Sequence, residues 1–431
     1  MTHALRLSRR SMLKACLSSA AVLPVAAHAQ GMLDASSEGL VGNLSDDQSE
    51  LVRSILERAS AAGQSVRLPT GTIRISALDL PGNVIVEGVP GQTEIAILPD
   101  GSGLRIADMA SVVLRDIAIS GGTNALTISN SSEITLERCR FSDADVGVSL
   151  SNAGARIRDC TFDNLGDAAI HSMDSLGLLI TGNRIDGCGN AGIRIWRSES
   201  GSDGTIISSN RIANVDWVGG GNGQNGNGVN VFKADEVIIA DNHIADCAFT
   251  AVRLNGTRNS QISGNMCLRS GEVAIFSEFE FSGSIIANNI VDTAATGISI
   301  TNFDVGGALA VCSANIVRNI LPVSAVNPDT LPIGIFAEAD TAISGNTVTQ
   351  VPGVAIAAGY GAFLRNVVIT ANVVTESNYG IGVSVVEGAG KVRIGDNVIS
   401  SSAHDVVGMA WDEVVETDLA VNAARYANVI F

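Results

Sequence analysis

Apolar residues in this chain keep returning in one short phrase, apolar-x-x-Asn-x-apolar. It reads Ile180-Thr-Gly-Asn183-Arg-Ile185, then Ile207-Ser-Ser-Asn210-Arg-Ile212, then Ile239-Ala-Asp-Asn242-His-Ile244, and comes back at Asn265, Asn289, Asn315, Asn346, Asn372 and Asn397. Upstream the slot holds cysteine, in Leu136-Glu-Arg-Cys139-Arg-Phe141 and Ile157-Arg-Asp-Cys160-Thr-Phe162. Counted from position 117, the slots give eleven intervals over 280 residues, about 25 each. A second phrase follows each slot with an apolar period of two, as in Ala191-Gly-Ile-Arg-Ile195, Thr250-Ala-Val-Arg-Leu254 and Thr296-Gly-Ile-Ser-Ile300. That period marks a strand whose intervening side chains point to solvent. A repeat of this length suits one turn of three short strands and three corners, and it is too helix-poor for ankyrin or TPR units. The predicted fold class is all-β, a right-handed single-stranded parallel β-helix of about 12 coils with an N-terminal amphipathic capping helix.

The Asn slot reads as architecture. At a corner Asn tolerates the left-handed conformation, and stacked every ~4.8 Å its amide can bond the next rung. Ahead of the repeats, Ser45-Asp46-Asp47-Gln48 has the pattern of a capping box, and Leu51, Val52, Ile55, Leu56 and Ala59 fall on one helix face. Such a helix would cover the open end of the solenoid, where an apolar end and an unpaired strand edge are otherwise exposed. The expected organisation is a signal peptide over 1–29, a linker and capping helix over 30–83, repeats over 84–410, and a C-terminal cap over 411–431 that carries Trp411, Tyr426 and Phe431.

Composition narrows the partners. The formal charge is −17, and residues 1–29 hold Arg6, Arg9, Arg10 and Lys14 but no acid, so the rest carries 23 basic and 44 acidic residues. A net acidic surface repels nucleic acid and anionic membranes, and neither is an expected partner. Ser8-Arg9-Arg10-Ser11-Met12-Leu13-Lys14 looks like a twin-arginine export signal, followed by weakly apolar Ala15–Val25 and the cleavage-site pattern Ala27-His28-Ala29. The expected product starts at Gln30, passes through the twin-arginine translocase, and is periplasmic or secreted without membrane insertion. Past residue 29 there are six cysteines, Cys139, Cys160, Cys188, Cys247, Cys267 and Cys312, read as small buried apolar residues with their disulfide state left open. His3, His28, His171, His243 and His404 are dispersed, and Cys/His metal spacings are absent, which argues against a metal site.

The outward positions of the second phrase align by register into two columns. One reads His171, Arg194, Asn230, Arg253, Phe276, Ser299, Phe336; its neighbour reads Met173, Trp196, Phe232, Asn255, Glu278, Thr301, Glu338. Two long steps mark insertions, one holding Asn214-Val-Asp-Trp217 and Gly219–Gly228, the other running roughly from Asp304 to Pro332. Long loops on a rigid solenoid are where binding walls are built. Between them lies a polar and aromatic strip, Arg194, Trp196, Asn230, Phe232, Lys233, Arg253, Asn255, Phe276 and Glu278, read as an exposed binding strip for a linear glycan: aromatics stack on sugar faces and the polar groups bond hydroxyls or carboxylates. Replacing Arg194, Trp196 or Arg253 by Ala is then expected to abolish binding without a stability cost. For a lyase, Arg194, Arg253 and Lys233 are candidate bases and Glu278 and Asp216 supporting carboxylates, with Ca²⁺ entering only in that case; otherwise no cofactor is expected. For a hydrolase, Glu278 and Glu338 share a column, and paired carboxylates ~5 to 9.5 Å apart are needed.

The opening "Asp-Asp, amphipathic helix, Val-x-Leu-Pro-x-Gly" resembles the start of pectate-lyase-like right-handed β-helices. With the Asn-slot repeats and the twin-arginine signal, the chain also resembles the twin-arginine-translocated repetitive proteins of alphaproteobacteria. The resemblance covers nearly the whole chain and implies fold and export. It implies carbohydrate as ligand by fold analogy only. The chain departs from the enzymes of the superfamily: it lacks the Arg-x-Pro-x-x-Arg of pectate lyases, the Gly-His-Gly of polygalacturonases and the Asp-Pro-His-Asp of alginate epimerases. The dispersed histidines also weaken a copper-delivery reading, although a periplasmic copper-site maturation protein has similar repeats. Two functions follow: an exported β-helix that binds, with or without cleaving or modifying, an envelope or extracellular polysaccharide, or a non-catalytic structural or adhesive solenoid that binds protein or cell wall.

Overall fold

A computed structural model describes residues 31–431 apart from Asn222, residues 302–306 and Ser402. The expected signal segment, and Asp304 at the start of the second insertion, lie outside the described residues. The chain winds into a parallel β-helix of about 14 turns. The first face stacks sixteen parallel strands, from Met32–Asp34 to Val429–Ile430. The other two faces form one 27-stranded sheet, because strands such as Thr347–Ala358 and Val373–Ser384 run unbroken across the corner between them. Two more turns are present than the slots suggest. The first coil, Ser65–Arg67, Gly71–Ile75 and Ala77–Asp79, precedes the first Asn or Cys slot, and its corner is filled by buried Leu68 instead.

The interior is a single column of stacked Ile, Val, Leu and Phe, with Phe141 lying flat on Phe162 at 5.0 Å between ring centroids. All six cysteines in the coils are free and buried. Burial pushes the thiols of Cys188, Cys267 and Cys312 up to about 12, as befits core residues.

The Asn slots form one continuous ladder. Asn265 Nδ2 donates to Asn289 Oδ1 at 3.1 Å and to the Ile239 carbonyl at 2.9 Å, while its Oδ1 accepts from the amide and backbone N–H of Asn242, both at 3.0 Å. The same pattern links Asn183 through Asn397, and Asn183 Oδ1 accepts from the backbone of Cys160 at 2.9 Å. The left-handed residue is not the Asn itself but the one before it: Gly182, Ser209, Asp241, Gly264, Asn288, Ala314, Gly345, Ala371 and Asp396 all have φ between 55° and 69°. The turn is made one residue early, which leaves each Asn free to point its amide along the axis.

The helix Ser49–Ala62 closes the N-terminal end, burying Val52, Ile55, Leu56 and Ala59. It ends at Gly63, whose left-handed φ of 66° lets its N–H reach the carbonyls of Ala59 and Ser60. The expected capping box does not form. Gln48 turns away to the backbone of Val41, and Asp47 takes over the start of the helix, accepting from Ser49 N at 2.9 Å and from Ser76 Oγ at 2.5 Å. Among the described residues no helix is long and apolar enough to cross a membrane.

Candidate functional site

The third face carries both predicted columns in the expected register. His171 pairs with Arg194, Arg194 with Asn230, Asn230 with Arg253, Arg253 with Phe276, Phe276 with Ser299 and Ser299 with Phe336. Beside them Trp196 pairs with Phe232, Phe232 with Asn255 and Asn255 with Glu278. The strip is therefore contiguous. It is not, however, an open solvated face, because the two insertions fold over it. Arg194 is 5% exposed, Arg253 8% and Glu278 2%.

The first insertion covers the upper rungs. Arg194 donates to Asp167 at 2.8 Å and to Asn225 of the loop at 2.9 Å, and it stacks on Trp196. Burial alone would raise the Asp167 carboxyl, but Arg194 and Asn190 outweigh it and hold it below the usual carboxylate range. Burial and the charge of Arg194 push His171 down. Trp196 Nε1 donates to Asn230 at 2.9 Å, and Asn230 in turn donates to the Gly223 carbonyl at 3.2 Å. Gly223 has φ +139°, and a Cβ there would sit 2.3 Å from the Arg253 guanidinium carbon, so only glycine lets this loop lie on Arg253.

Arg253 is the centre of the site. Its Nε and Nη2 meet Glu278 at 2.7 and 2.9 Å, its Nη1 meets Glu272 at 3.1 Å, and its plane lies over Phe276. Burial opposes the charge, but Glu278 and Glu272 outweigh it and hold the guanidinium more firmly protonated than usual. Glu272 also accepts from Asn327 of the second insertion at 2.8 Å, and Glu278 from Asn255 at 2.9 Å. The ion-pair cluster thus anchors the second loop, while Gly223 of the first packs against Arg253.

Three hollows follow one another along this face. The first, about 330 Å³, lies between Trp196, Phe232, Asn255 and the loop residues Gly223 and Gln224. The second, about 640 Å³, runs from Arg253 and Glu278 past Phe276 and Phe336 to Tyr360, with Asn327–Leu331 as one wall. The third, about 280 Å³, is lined by Phe336, Tyr360, Tyr379 and Trp411. Arg253 and Glu278 line both of the first two; Leu331, Ile333, Phe336, Tyr360 and Asp412 line both of the last two.

Not every predicted residue faces this groove. Arg194 lies beneath Asn225, and Lys233 leans over Phe232 with its ammonium 3.3 Å from the Ser198 carbonyl; neither lines a hollow. Asp216 sits on a separate, open corner hollow with Asp246 and Arg269. Glu338 is fully buried in its column. The sequence reading missed Tyr360, Tyr379, Asp412 and Trp411. Tyr379 lies on the strand Val373–Ser384 and Tyr360 just past the end of Thr347–Ala358, whereas Trp411 and Asp412 arrive because strand Glu413–Glu416 folds back antiparallel on His404–Ala410, which sets Trp411 against Tyr360 at 5.0 Å between ring centroids. The repeats mark Tyr379 as the start of a strand, Tyr379-Gly-Ile-Gly-Val383, but the two outward columns were followed only to Phe336 and Glu338, and Tyr360 and Trp411 lie outside the repeated phrase.

Comparison with known proteins gives fold more than function. Residues 86–266 match the profile of a family described as periplasmic copper-binding protein (NosD). No curated protein matches the chain by sequence. A mannuronic acid-specific family 6 polysaccharide lyase from the human gut microbiota superposes with TM-score 0.51 at 13% identity, covering 91% of this chain and 93% of that one. The A-module of the Azotobacter vinelandii mannuronan C-5 epimerase AlgE6 gives 0.47 at 14%, covering 86% and 100%. The Streptococcus pneumoniae surface protein and adhesin PfbA gives 0.45 at 12%, covering 88% and 99%. At these identities the likeness is one of fold, the pectate-lyase-like right-handed β-helix. The donors for copper do not fit: among the described residues no group of three or more His, Cys, Asp or Glu could hold a metal, and the buried thiols of Cys188 and Cys267 are far from thiolates.

Proposed function

We propose that this chain is an exported β-helix protein that binds a linear envelope or extracellular polysaccharide along its third face. The observation that carries the reading is the row of three aromatic-walled hollows between the two insertions and the C-terminal hairpin. The rung of Trp196 and that of Met409, which line the two end hollows, are eight steps apart, through 194, 230, 253, 276, 299, 336, 357, 382 and 407 in the adjoining column, so at ~4.8 Å each the groove is about 38 Å long. That length suits a chain of sugar rings rather than a single metabolite. Export through the twin-arginine translocase, and kinship with the twin-arginine-translocated repetitive proteins, belong to the same reading. The periplasmic description of the matched family supports the location.

Within the strip, Trp196, Phe232, Asn255 and Phe276 are the sugar contacts. Arg194, Asn230 and Glu278 position loops and rings, and Lys233 stands at the rim. Arg253 is a poor lyase base, since two buried carboxylates keep its proton in place. Binding is therefore favoured over elimination chemistry, and neither Ca²⁺ nor another cofactor is required. A glycan-array screen of residues 30–431, with hits followed for the ultraviolet absorbance of unsaturated uronates, tests this. Binding without the absorbance rise is expected; no binding to any glycan would overturn the reading.

A second reading has its own observation. On the first face the outward column holds Ile206, Ile285, Val311 and Val368, each 38% exposed or more. Exposed aliphatics in one row suit an adhesive or structural solenoid that docks protein or cell wall.

A further inference from the structure

The central hollow has an uneven charge. Of its lining residues the one cation is Arg253, and it is already consumed by Glu272 and Glu278, which are 3% and 2% exposed. Asp329, on the wall formed by the second insertion, and Asp412, on the C-terminal hairpin, also line the hollow. Asp412 is within 3.5 Å of the Tyr360 hydroxyl, which can donate to it, and neither carboxylate has a cationic partner among the described residues. Both carboxylates are exposed on the walls of this hollow. Phe276, Phe336 and Tyr360 line the same hollow. Carboxylates together with aromatic faces recognise an ammonium: the cation gains Coulomb attraction and cation–π contact, while an anionic sugar meets only repulsion.

Resting on the glycan-binding reading above, we infer that the central hollow selects a sugar unit with a free, protonated amine, a hexosamine, and rejects uronates. The choice is opposite in charge to the acidic sugar named for the lyase that shares this fold. It follows from how Arg253 is spent. Unpaired, Arg253 would be the natural partner for a uronate carboxylate; clamped by two glutamates, it has no charge left to offer.

The test is calorimetric titration of the intact protein with three hexamers: β-1,4-linked glucosamine, its fully N-acetylated counterpart, and galacturonate. At low salt the glucosamine hexamer is expected to bind at least about fivefold more tightly than the N-acetylated one, with galacturonate weakest. The double variant Asp329→Asn/Asp412→Asn, whose exposed positions leave thermal unfolding unchanged, should erase that preference and retain binding of the N-acetylated hexamer. Equal affinity for amine and acetamide, tightest binding of galacturonate, or a preference that survives the double substitution would each overturn the inference while leaving a glycan groove in place. If no hexamer binds and the array shows no other glycan, the groove reading itself falls and this inference falls with it. If the array finds a glycan without amines and the hexamers stay unbound, this inference alone fails.

Discussion

Arg253 and Glu278 form a two-pronged ion pair across adjacent rungs of the third face, at 2.7 and 2.9 Å, with both side chains buried. Glu278 is one rung along and in the neighbouring column, so the pair crosses the strip diagonally and ties two columns together. Glu272 and, through it, Asn327 extend the cluster to the second insertion.

Removing Arg253 strands two buried carboxylates. Arg253→Ala should cost about 3–5 kcal/mol of stability, the range for breaking a buried pair from one side. Arg253→Lys should recover little of it, because an ammonium cannot meet Glu278 with two parallel bonds. Denaturant unfolding checks both. A loss below about 1 kcal/mol would mean that the cluster is solvated in solution.

Within the Asn ladder, position matters. Asn265→Ala leaves the Asn242 backbone N–H buried without a partner and removes the side-chain bonds to Ile239, Asn242 and Asn289, at an expected cost of about 2–4 kcal/mol. Asn397 bonds to a neighbour on one side only and is partly exposed, so Asn397→Ala should cost about 1 kcal/mol. Equal costs at the two positions, measured by thermal unfolding, would contradict the ladder.

Acid should loosen the N-terminal end. Burial alone would raise the Asp47 carboxyl, but hydrogen bonds from Ser49 and Ser76 overcome it and hold it at about 2. A carboxyl depressed on folding contributes stability that is present above its unfolded value near 3.8 and lost as pH falls toward 2. Because Asp47 is exposed, that contribution is about 1 kcal/mol after solvent screening. Asp47→Asn should lower stability at pH 7 and remove its slope between pH 4 and 2, as followed by circular dichroism.

The aromatic contacts separate binding from folding. Phe232 is half-buried on the groove and makes no hydrogen bond through its side chain, so Phe232→Ala should weaken glycan binding about tenfold with little change in unfolding temperature. Unchanged affinity on an oligosaccharide that the wild type binds would place the ligand elsewhere.

Much of the fold was legible because it is periodic. The Asn slot and the two-residue alternation gave the coils, and the column from His171 to Phe336 was readable rung by rung, including its two insertions. Alternation says only that a side chain points away from the core; it cannot say whether a loop returns to cover it. For that reason Arg194 and Arg253 read as exposed binding groups whose loss would spare stability, whereas they are buried beneath Asn225 and Gly223. Trp411 and Asp412 escaped because a non-repeating hairpin brings them to the groove, and Tyr360 because it lies in the turn after the strand Thr347–Ala358, outside the repeated phrase.

The central claim is that a linear glycan lies along the hollows from Trp196 to Trp411. Its most direct test uses the chain's three tryptophans, Trp196, Trp217 and Trp411, two of which line the groove at opposite ends. Tryptophan fluorescence is titrated with oligomers of rising length from the best array hit, on the wild type and on Trp196→Phe and Trp411→Phe. Affinity should rise with each added ring until about 38 Å is filled and then level off, with each variant losing the signal from its own end. Affinity that saturates at a single sugar, or a signal unchanged by both substitutions, would contradict the account.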